Sequence, residues 1–214
     1  MHSLPGQSVT ASLSDLKEAL NCEPQHLSWY QLTIEPNTIF YKTLPKLPSD
    51  NITAKVESAG MEILAAQGFN RYEISAFAKD GYTSQHNLNY WLFGDYLGIG
   101  AGAHGKYTDL NARKIYRTNK VRQPNDYLSK KLLVQSNQVK AQDLVFEFML
   151  NTTRLQQTIA NDLFTNRTLL PYNFIEHKLQ KAENLGLIEL SPTHWRVTDF
   201  GRRFTNNLQE IFLP

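Results

Sequence analysis

Among the 214 residues there is a single cysteine, Cys22. A lone thiol cannot close an intrachain disulfide, nor supply the three or four thiolates of a structural zinc or iron–sulfur site. A reducing compartment follows, and any Cys-ligated metal would need ligands from outside this chain. Long apolar runs are missing too: none approaches the ~18 residues of a transmembrane candidate. The opening residues, Met1-His2-Ser3-Leu4-Pro5-Gly6-Gln7, have neither the charged nor the apolar region of a signal peptide. A cytoplasmic protein is the expectation. Net charge is only +2, which calls for neither nucleic acid nor an acidic membrane. No internal repeat or low-complexity tract is present. What the chain does have is apolar matter, 41% of its residues. That excludes wholesale disorder and, at this length, predicts one large or two small domains.

The small total hides a segregation. Residues 1–103 carry a net −4, residues 104–140 a net +7, and residues 141–214 a net −1. The middle stretch holds Lys106, Arg113, Lys114, Arg117, Lys120, Arg122, Lys130, Lys131 and Lys140 against Asp109 and Asp126. It reads either as a solvated basic hairpin or as a surface that steers phosphates or carboxylates.

The first hundred residues alternate between helix and strand patterns. Ser12 or Ser14 is placed to cap a helix running to Asn21. Leu27–Ile34 and Phe69–Ser75 favour strands, and Tyr96–Gly100 a third. Between the first two, Ile52, Val56, Ala59 and Ile63 recur on one face of a helix opened by Ser49-Asp50 and closed at Gly68. Strand, helix, strand with such long connections implies parallel neighbours and a layered α/β arrangement. Strands near Gly105–Thr108 and Lys114–Arg117 then form the basic hairpin, and a short helix covers Asn125–Lys131 after Pro124. Beyond residue 140 the pattern is α+β. One helix carries Val145, Phe148 and Met149, and a second spans Pro171–Asn184 with Phe174, Leu179 and Ala182. A hairpin follows (Leu187–Leu190, Trp195–Thr198), then a last helix over Phe200–Phe212. Helices followed by a small hairpin describe a winged-helix-like module. The boundary falls in the polar stretch 132–141, giving domains 1–135 and 136–214.

Three clusters could carry chemistry. In His86-Asn87-Leu88-Asn89-Tyr90-Trp91, a helix sets His86 beside Tyr90 and Asn87 beside Trp91. An imidazole can ligate iron, Asn and Tyr offer hydrogen bonds, and an indole offers a flat apolar wall. A planar, polar-edged ligand such as a tetrapyrrole suits that set, although a hydrogen-bonded structural histidine is the commoner use of such a pattern. In Gly98-Ile99-Gly100-Ala101-Gly102-Ala103-His104, small residues allow backbone N–H groups close to a ligand, or simply tight packing at a strand end. No Gly-Lys-Ser/Thr follows, so ATP and dinucleotide binding are excluded. Glu73 in Tyr72-Glu73-Ile74-Ser75 places a carboxylate near a strand end, as a rim charge or a site residue. Cys22 reads as structural, and His2, His26, His177 and His194 lack metal-ligand spacing.

Taken in order, Leu4-Pro5-Gly6-Gln7, Ser28-x-Tyr30-x-Leu32, Tyr72-Glu73-Ile74-Ser75, His86-Asn87-x-x-Tyr90-Trp91 and Gly94-Asp95-Tyr96-Leu97-Gly98-Ile99-Gly100-Ala101-Gly102-Ala103-His104 resemble one family. It is the radical SAM family of oxygen-independent coproporphyrinogen III oxidase-like proteins, in its haem chaperone branch. Arg154-Leu155 and Thr198-x-x-Gly201-Arg202 extend the resemblance to the family's winged-helix-like C-terminal domain. Ala76 stands where the family usually has Asn, and Thr158 where it usually has Gly.

The resemblance implies the C-terminal part of a partial α/β barrel of radical SAM type, then the winged-helix-like domain. In the family the barrel holds a [4Fe–4S] cluster and S-adenosylmethionine. The CxxxCxxC motif that ligates the cluster is not in this sequence, so the chain is expected to be inactive alone. Without the first barrel strands an exposed strand edge invites self-association. The branch implies haem or a porphyrin as ligand, with His86, Asn87, Tyr90 and Trp91 as haem-binding residues and His86 as axial ligand to the iron. Gln7, Tyr30, Glu73, Gly100, Gly102 and His104 are the expected cofactor- or substrate-proximal positions, and a haem-accepting protein is the expected partner. The enzymatic alternative is oxidative decarboxylation of coproporphyrinogen III, which would turn the basic hairpin toward the substrate's carboxylates. A winged-helix nucleic-acid binder is the third reading. The −1 charge of residues 141–214 opposes it, because such binding draws on Lys and Arg at phosphates.

Overall fold

The computed structural model describes residues 1–129 and 134–214. Lys130, Lys131 and the start of the expected 132–141 boundary lie outside them. The chain forms two compact units, Met1–Ser84 and Gln85–Pro214. The expected 135/136 division therefore falls inside the second unit.

In the first unit, helix α1 (Val9–Asn21) starts a turn earlier than Ser12 suggested, because the Ser8 hydroxyl accepts the Ala11 N–H at 3.2 Å and caps it. Ser12 is instead buried beside Leu16. Strand β1 covers only His26–Ser28, followed by the short helix α2 (Ile39–Thr43) and the long helix α3 (Asp50–Ala66). Strands β2 (Asn70–Arg71) and β3 (Ala76–Ala78) complete a sheet of order β1-β3-β2, antiparallel throughout. The parallel layering expected from strand–helix–strand spacing is not formed. The sole parallel pairing among the described residues is one bridge, His2 to Gln31.

Two local causes replace the expected strands. In Tyr72–Ser75 the Glu73 carboxylate folds back on its own backbone, accepting from the Ser75 N–H and hydroxyl at 3.1 Å each. A side chain that satisfies the backbone locally makes a turn rather than a strand, so this segment joins β2 to β3 as a hairpin. In Leu27–Ile34, regular pairing ends at Ser28, and Trp29, whose N–H still donates to Ser75 O at 2.8 Å, packs its indole over Gly60 of α3, where a Cβ would overlap the ring. This contact also moves the buried face of α3. Thr53, Val56, Gly60 and Leu64 point inward, while Ile52 is exposed. Thr and Gly do not score as apolar, so the stripe is displaced from the one the pattern displays.

In the second unit, helix α4 (Gln85–Trp91) precedes strands β4 (His104–Asp109) and β5 (Lys114–Lys120), helix α5 (Pro124–Leu128) and strand β6 (Val134–Gln138). The basic hairpin is present, and β6 adds a third antiparallel strand to it. The sequence hid β6 because all five of its residues are exposed and polar or edge-like. Tyr96–Gly100 is not a strand. Tyr96 makes one bridge to Lys106, and Leu97 and Ile99 stand 84% and 85% exposed.

Helix α6 (Ala141–Thr152), strand β7 (Ile159–Ala160), helices α7 (Asn161–Thr168) and α8 (Asn173–Asn184), strands β8 (Ile188–Leu190) and β9 (His194–Val197), and helices α9 (Asp199–Arg203) and α10 (Thr205–Glu210) follow. The second sheet has order β7-β9-β8. Val145, Phe148, Met149, Leu179 and Ala182 are buried as expected, whereas Phe174 is exposed. The expected single last helix breaks at Phe204. Thr198 caps α9 through its hydroxyl, and Gly201 sits so close to the Leu187 carbonyl that a Cβ would collide with it. From the next position Arg202 donates to the carbonyls of Leu155 and Gln156. No helix among the described residues is long and apolar enough to cross a membrane.

Candidate functional site

Helix α4 is short, and its inner side is anchored by Leu88, Trp91 and Leu92 against the core of the second unit. The chain leaves it through a left-handed turn at Phe93 (φ 57°), a conformation that a bulky side chain adopts only when its surroundings enforce it. Here the Phe93 ring is buried against Phe148, edge to face at 5.9 Å. The turn aims two carbonyls at one amine: Lys106 Nζ donates to Phe93 O at 3.0 Å and Gly94 O at 3.5 Å. It also donates to Asp95 Oδ1 at 2.8 Å and lies 4.3 Å above the Phe93 ring.

Lys106 is 2% exposed, although it belongs to the basic stretch expected either as a solvated hairpin or as an anion-steering surface. Burial pushes its amine below the ordinary lysine range, Asp95 opposes the shift, and Arg117 and Arg167 add to it as like charges. Burial alone would raise Asp95. The hydrogen bond and charge of Lys106, with the Thr108 N–H and hydroxyl, hold its carboxyl below the usual range instead.

A cavity of about 200 Å³ lies beside this turn. His86, Asn87, Tyr90 and Trp91 all line it, as do Tyr96, Lys106, Arg117 and Asn151. The expected four-residue set is thus assembled by the helical spacing. The His86 ring meets Tyr90 edge to face at 4.9 Å, and Tyr90 meets Tyr96 at 4.4 Å. Arg117 donates to the Tyr96 hydroxyl at 2.7 Å and to Glu147 Oε2 through Nε and Nη2. The Arg154 guanidinium sits 4.4 Å over the Trp91 ring. Trp91 Nε1 is buried without a hydrogen bond among the described residues.

The other expected positions do not join this cluster. Gly100 and Gly102 adopt left-handed backbone and are held locally, the first N–H by the Tyr127 hydroxyl and the second by Val121 O. His104 opens β4 and is exposed. Gln7, Tyr30 and Glu73 belong to the first unit: Gln7 bridges Leu4 N–H and Asp15, Tyr30 is exposed, and Glu73 is buried in its hairpin turn. Tyr96, Lys106, Arg117 and Asn151 were not singled out from the sequence. The β4–β5 register brings two of them together by setting Lys106 opposite Arg117.

Comparison with known proteins decides the relationship. The model of the HemN C-terminal domain matches residues 139–204. The heme chaperone HemW of Escherichia coli (strain K12) is 44% identical over 213 residues, 100% of this chain and 56% of that protein. The chain is homologous to part of HemW. HemW of Buchnera aphidicola (Acyrthosiphon pisum strain APS) is also 44% identical over the same span, and that of Haemophilus influenzae 40%. The chain spans just over half the length of these HemW relatives. Among solved structures, E. coli coproporphyrinogen III oxidase (HemN), described as a radical SAM enzyme, superposes on 99% of this chain and 53% of its own. The TM-score is 0.73 at 16% identity, which establishes a shared fold.

The residues present do not fit the iron–sulfur cluster of that enzyme class. The chain has one cysteine, exposed, and no group of three or more His, Cys, Asp or Glu among the described residues could hold a metal. His86 does offer a donor of the kind that can hold haem iron. The His86 imidazole is exposed and makes no hydrogen bond among the described residues, so a ring nitrogen is open to a metal.

Proposed function

We propose that this chain binds haem on α4, as part of a haem chaperone, with His86 as axial ligand to the iron. Bound haem supplies an open coordination position and a flat apolar face. His86 holds the iron side, Tyr90 fixes the imidazole by its edge-to-face contact, Trp91 supplies apolar wall, and Asn87 lines the same cavity. The observation that carries the reading is the convergence of all four residues on one cavity, in a chain 44% identical to HemW. At about 200 Å³ the cavity is smaller than the ~300–1,000 Å³ pockets that enclose whole ligands. A macrocycle therefore lies largely outside, which suits a carrier that hands its cargo to an accepting protein in the cytoplasm.

The same proposal keeps the finer fold description: part of a radical SAM-type barrel followed by a winged-helix-like module from about residue 136. Support for the module comes from α7 and α8 followed by the β8–β9 hairpin, with β7 on its flank. The test is a haem titration of the chain. A Soret shift that saturates with the native chain and is lost in His86→Ala is the expected result, and an unchanged spectrum with the native chain refutes the reading.

A further inference from the structure

Strand register brings two cations face to face. In the β4–β5 ladder Lys106 stands directly opposite Arg117, so the two side chains share one face of the sheet. Both line the cavity beside α4. Like charges so placed destabilise a strand pair, and each here is answered by its own carboxylate, Asp95 at 2.8 Å and Glu147 at 2.5 Å. The two cations are nevertheless unequal. Lys106 is turned inward, its amine spent on Asp95 and two carbonyls. Arg117 is 33% exposed. Three of its five N–H bonds are engaged, by Glu147 and the Tyr96 hydroxyl, and two remain without a partner among the described residues.

The neighbouring lining adds donors. Tyr96 accepts from Arg117 and keeps its own proton to give. Asn151 contributes a side-chain amide with no hydrogen bond among the described residues. Lys106 and Arg117 are balanced by Asp95 and Glu147, and the part-exposed Arg117 guanidinium is the cationic edge that the cavity offers a ligand. At about 200 Å³ the cavity admits a substituent of a large ligand and excludes a whole macrocycle.

We propose that this cavity takes a carboxylate-bearing arm of a planar tetrapyrrole, with Arg117, Tyr96 and Asn151 as its donors. The macrocycle and its iron stay outside, against His86. The inference rests on the haem reading above and assigns that ligand its orientation. A carboxylate seated here gains charge-assisted hydrogen bonds, which are short and strong, and brings negative charge to the opposed cations.

The test compares iron protoporphyrin IX with its dimethyl ester, which keeps ring and iron but carries no carboxylate. Titrated into the full chain, the diacid should bind about tenfold tighter or more, the worth of one hydrogen bond to a charged group. Tyr96→Phe and Arg117→Gln should bring that ratio toward one and leave the affinity for the ester unchanged. Arg117→Gln strands Glu147 and puts folding at risk, so Tyr96→Phe is the variant that decides. His86→Ala should remove the iron signature with both compounds, while metal-free protoporphyrin and its dimethyl ester, followed by fluorescence quenching, still differ in affinity. Equal affinities for diacid and ester in the native chain, or a ratio unmoved by Tyr96→Phe, overturn the inference and leave the haem reading standing. No Soret change with either compound overturns the haem reading and the inference with it.

Discussion

Among the described residues, the core cluster of the first unit has six buried apolar side chains and that of the second eighteen, although the second unit is only about half as long again. The difference lies in what each unit does with its apolar sequence. In the second, helices α6 and α8 and the β8–β9 hairpin turn their apolar faces onto one another. In the first, Ile39, Phe40, Tyr41 and Leu44 around α2 stay exposed, and the sheet is made of strands two or three residues long. A hydrophobic pattern reports structure well where its own unit buries it. Where it does not, local contacts such as the Glu73 turn and the Trp29–Gly60 approach decide the backbone.

Cutting into the larger core should have the largest effect. Phe148 is fully buried between Phe93 and Phe164, and Phe148→Ala should destabilise the second unit by about 3–5 kcal/mol. Chemical denaturation reads this, and a loss under about 1 kcal/mol would mean the cluster is far looser than drawn.

The two close-packed glycines sharpen the comparison. Overpacking typically costs about 1–3 kcal/mol. At Gly201 a new methyl meets the Leu187 carbonyl, which is fixed backbone, whereas at Gly60 it meets the Trp29 ring, a side chain that can shift. Gly201→Ala should therefore fall at or above the top of that range and Gly60→Ala lower. The reverse order in melting experiments would show that the first unit is the more rigidly packed.

Lys106→Met comes next. It leaves buried carbonyl acceptors at Phe93 and Gly94 unpaired, at about 1–3 kcal/mol. It also changes the acid limb of stability. A carboxyl held below its ordinary range stabilises the fold at neutral pH, and that contribution is lost as the pH falls through its lowered value. Stability measured from pH 7 downward should fall less steeply in the variant than in the native chain. The smallest effect belongs to the solvent-exposed Arg196–Glu189 pair of the β8–β9 hairpin. Glu189→Gln should leave the melting midpoint unmoved, as is usual for surface ion pairs.

The same contrast explains what could be read in advance. Val145, Phe148 and Met149 announced α6 because helical spacing and burial coincide there. The His86–Trp91 set was legible for the same reason, since one helix carries all four residues and no long-range pairing is needed to bring them together. Lys106 and Arg117 were visible only as part of a basic stretch. Their meeting depends on the β4–β5 register, and the burial of Lys106 depends on the left-handed turn at Phe93. Neither leaves a trace in composition. Strand β6 was hidden for a different reason: its backbone pairs with β5 while all five side chains face water.

The placement of the three tryptophans gives the molecule a built-in set of optical reporters. Trp29 lies in the core of the first unit, Trp195 in that of the second, and Trp91 at the cavity beneath the Arg154 guanidinium. Emission from Trp29 and Trp195, isolated by Trp→Phe exchange at the other sites, follows the melting of each unit separately. Trp91 is the natural energy donor to a haem seated on α4. Its quenching on titration, followed in a chain with Phe at the other two tryptophans, would report haem binding without any attached label.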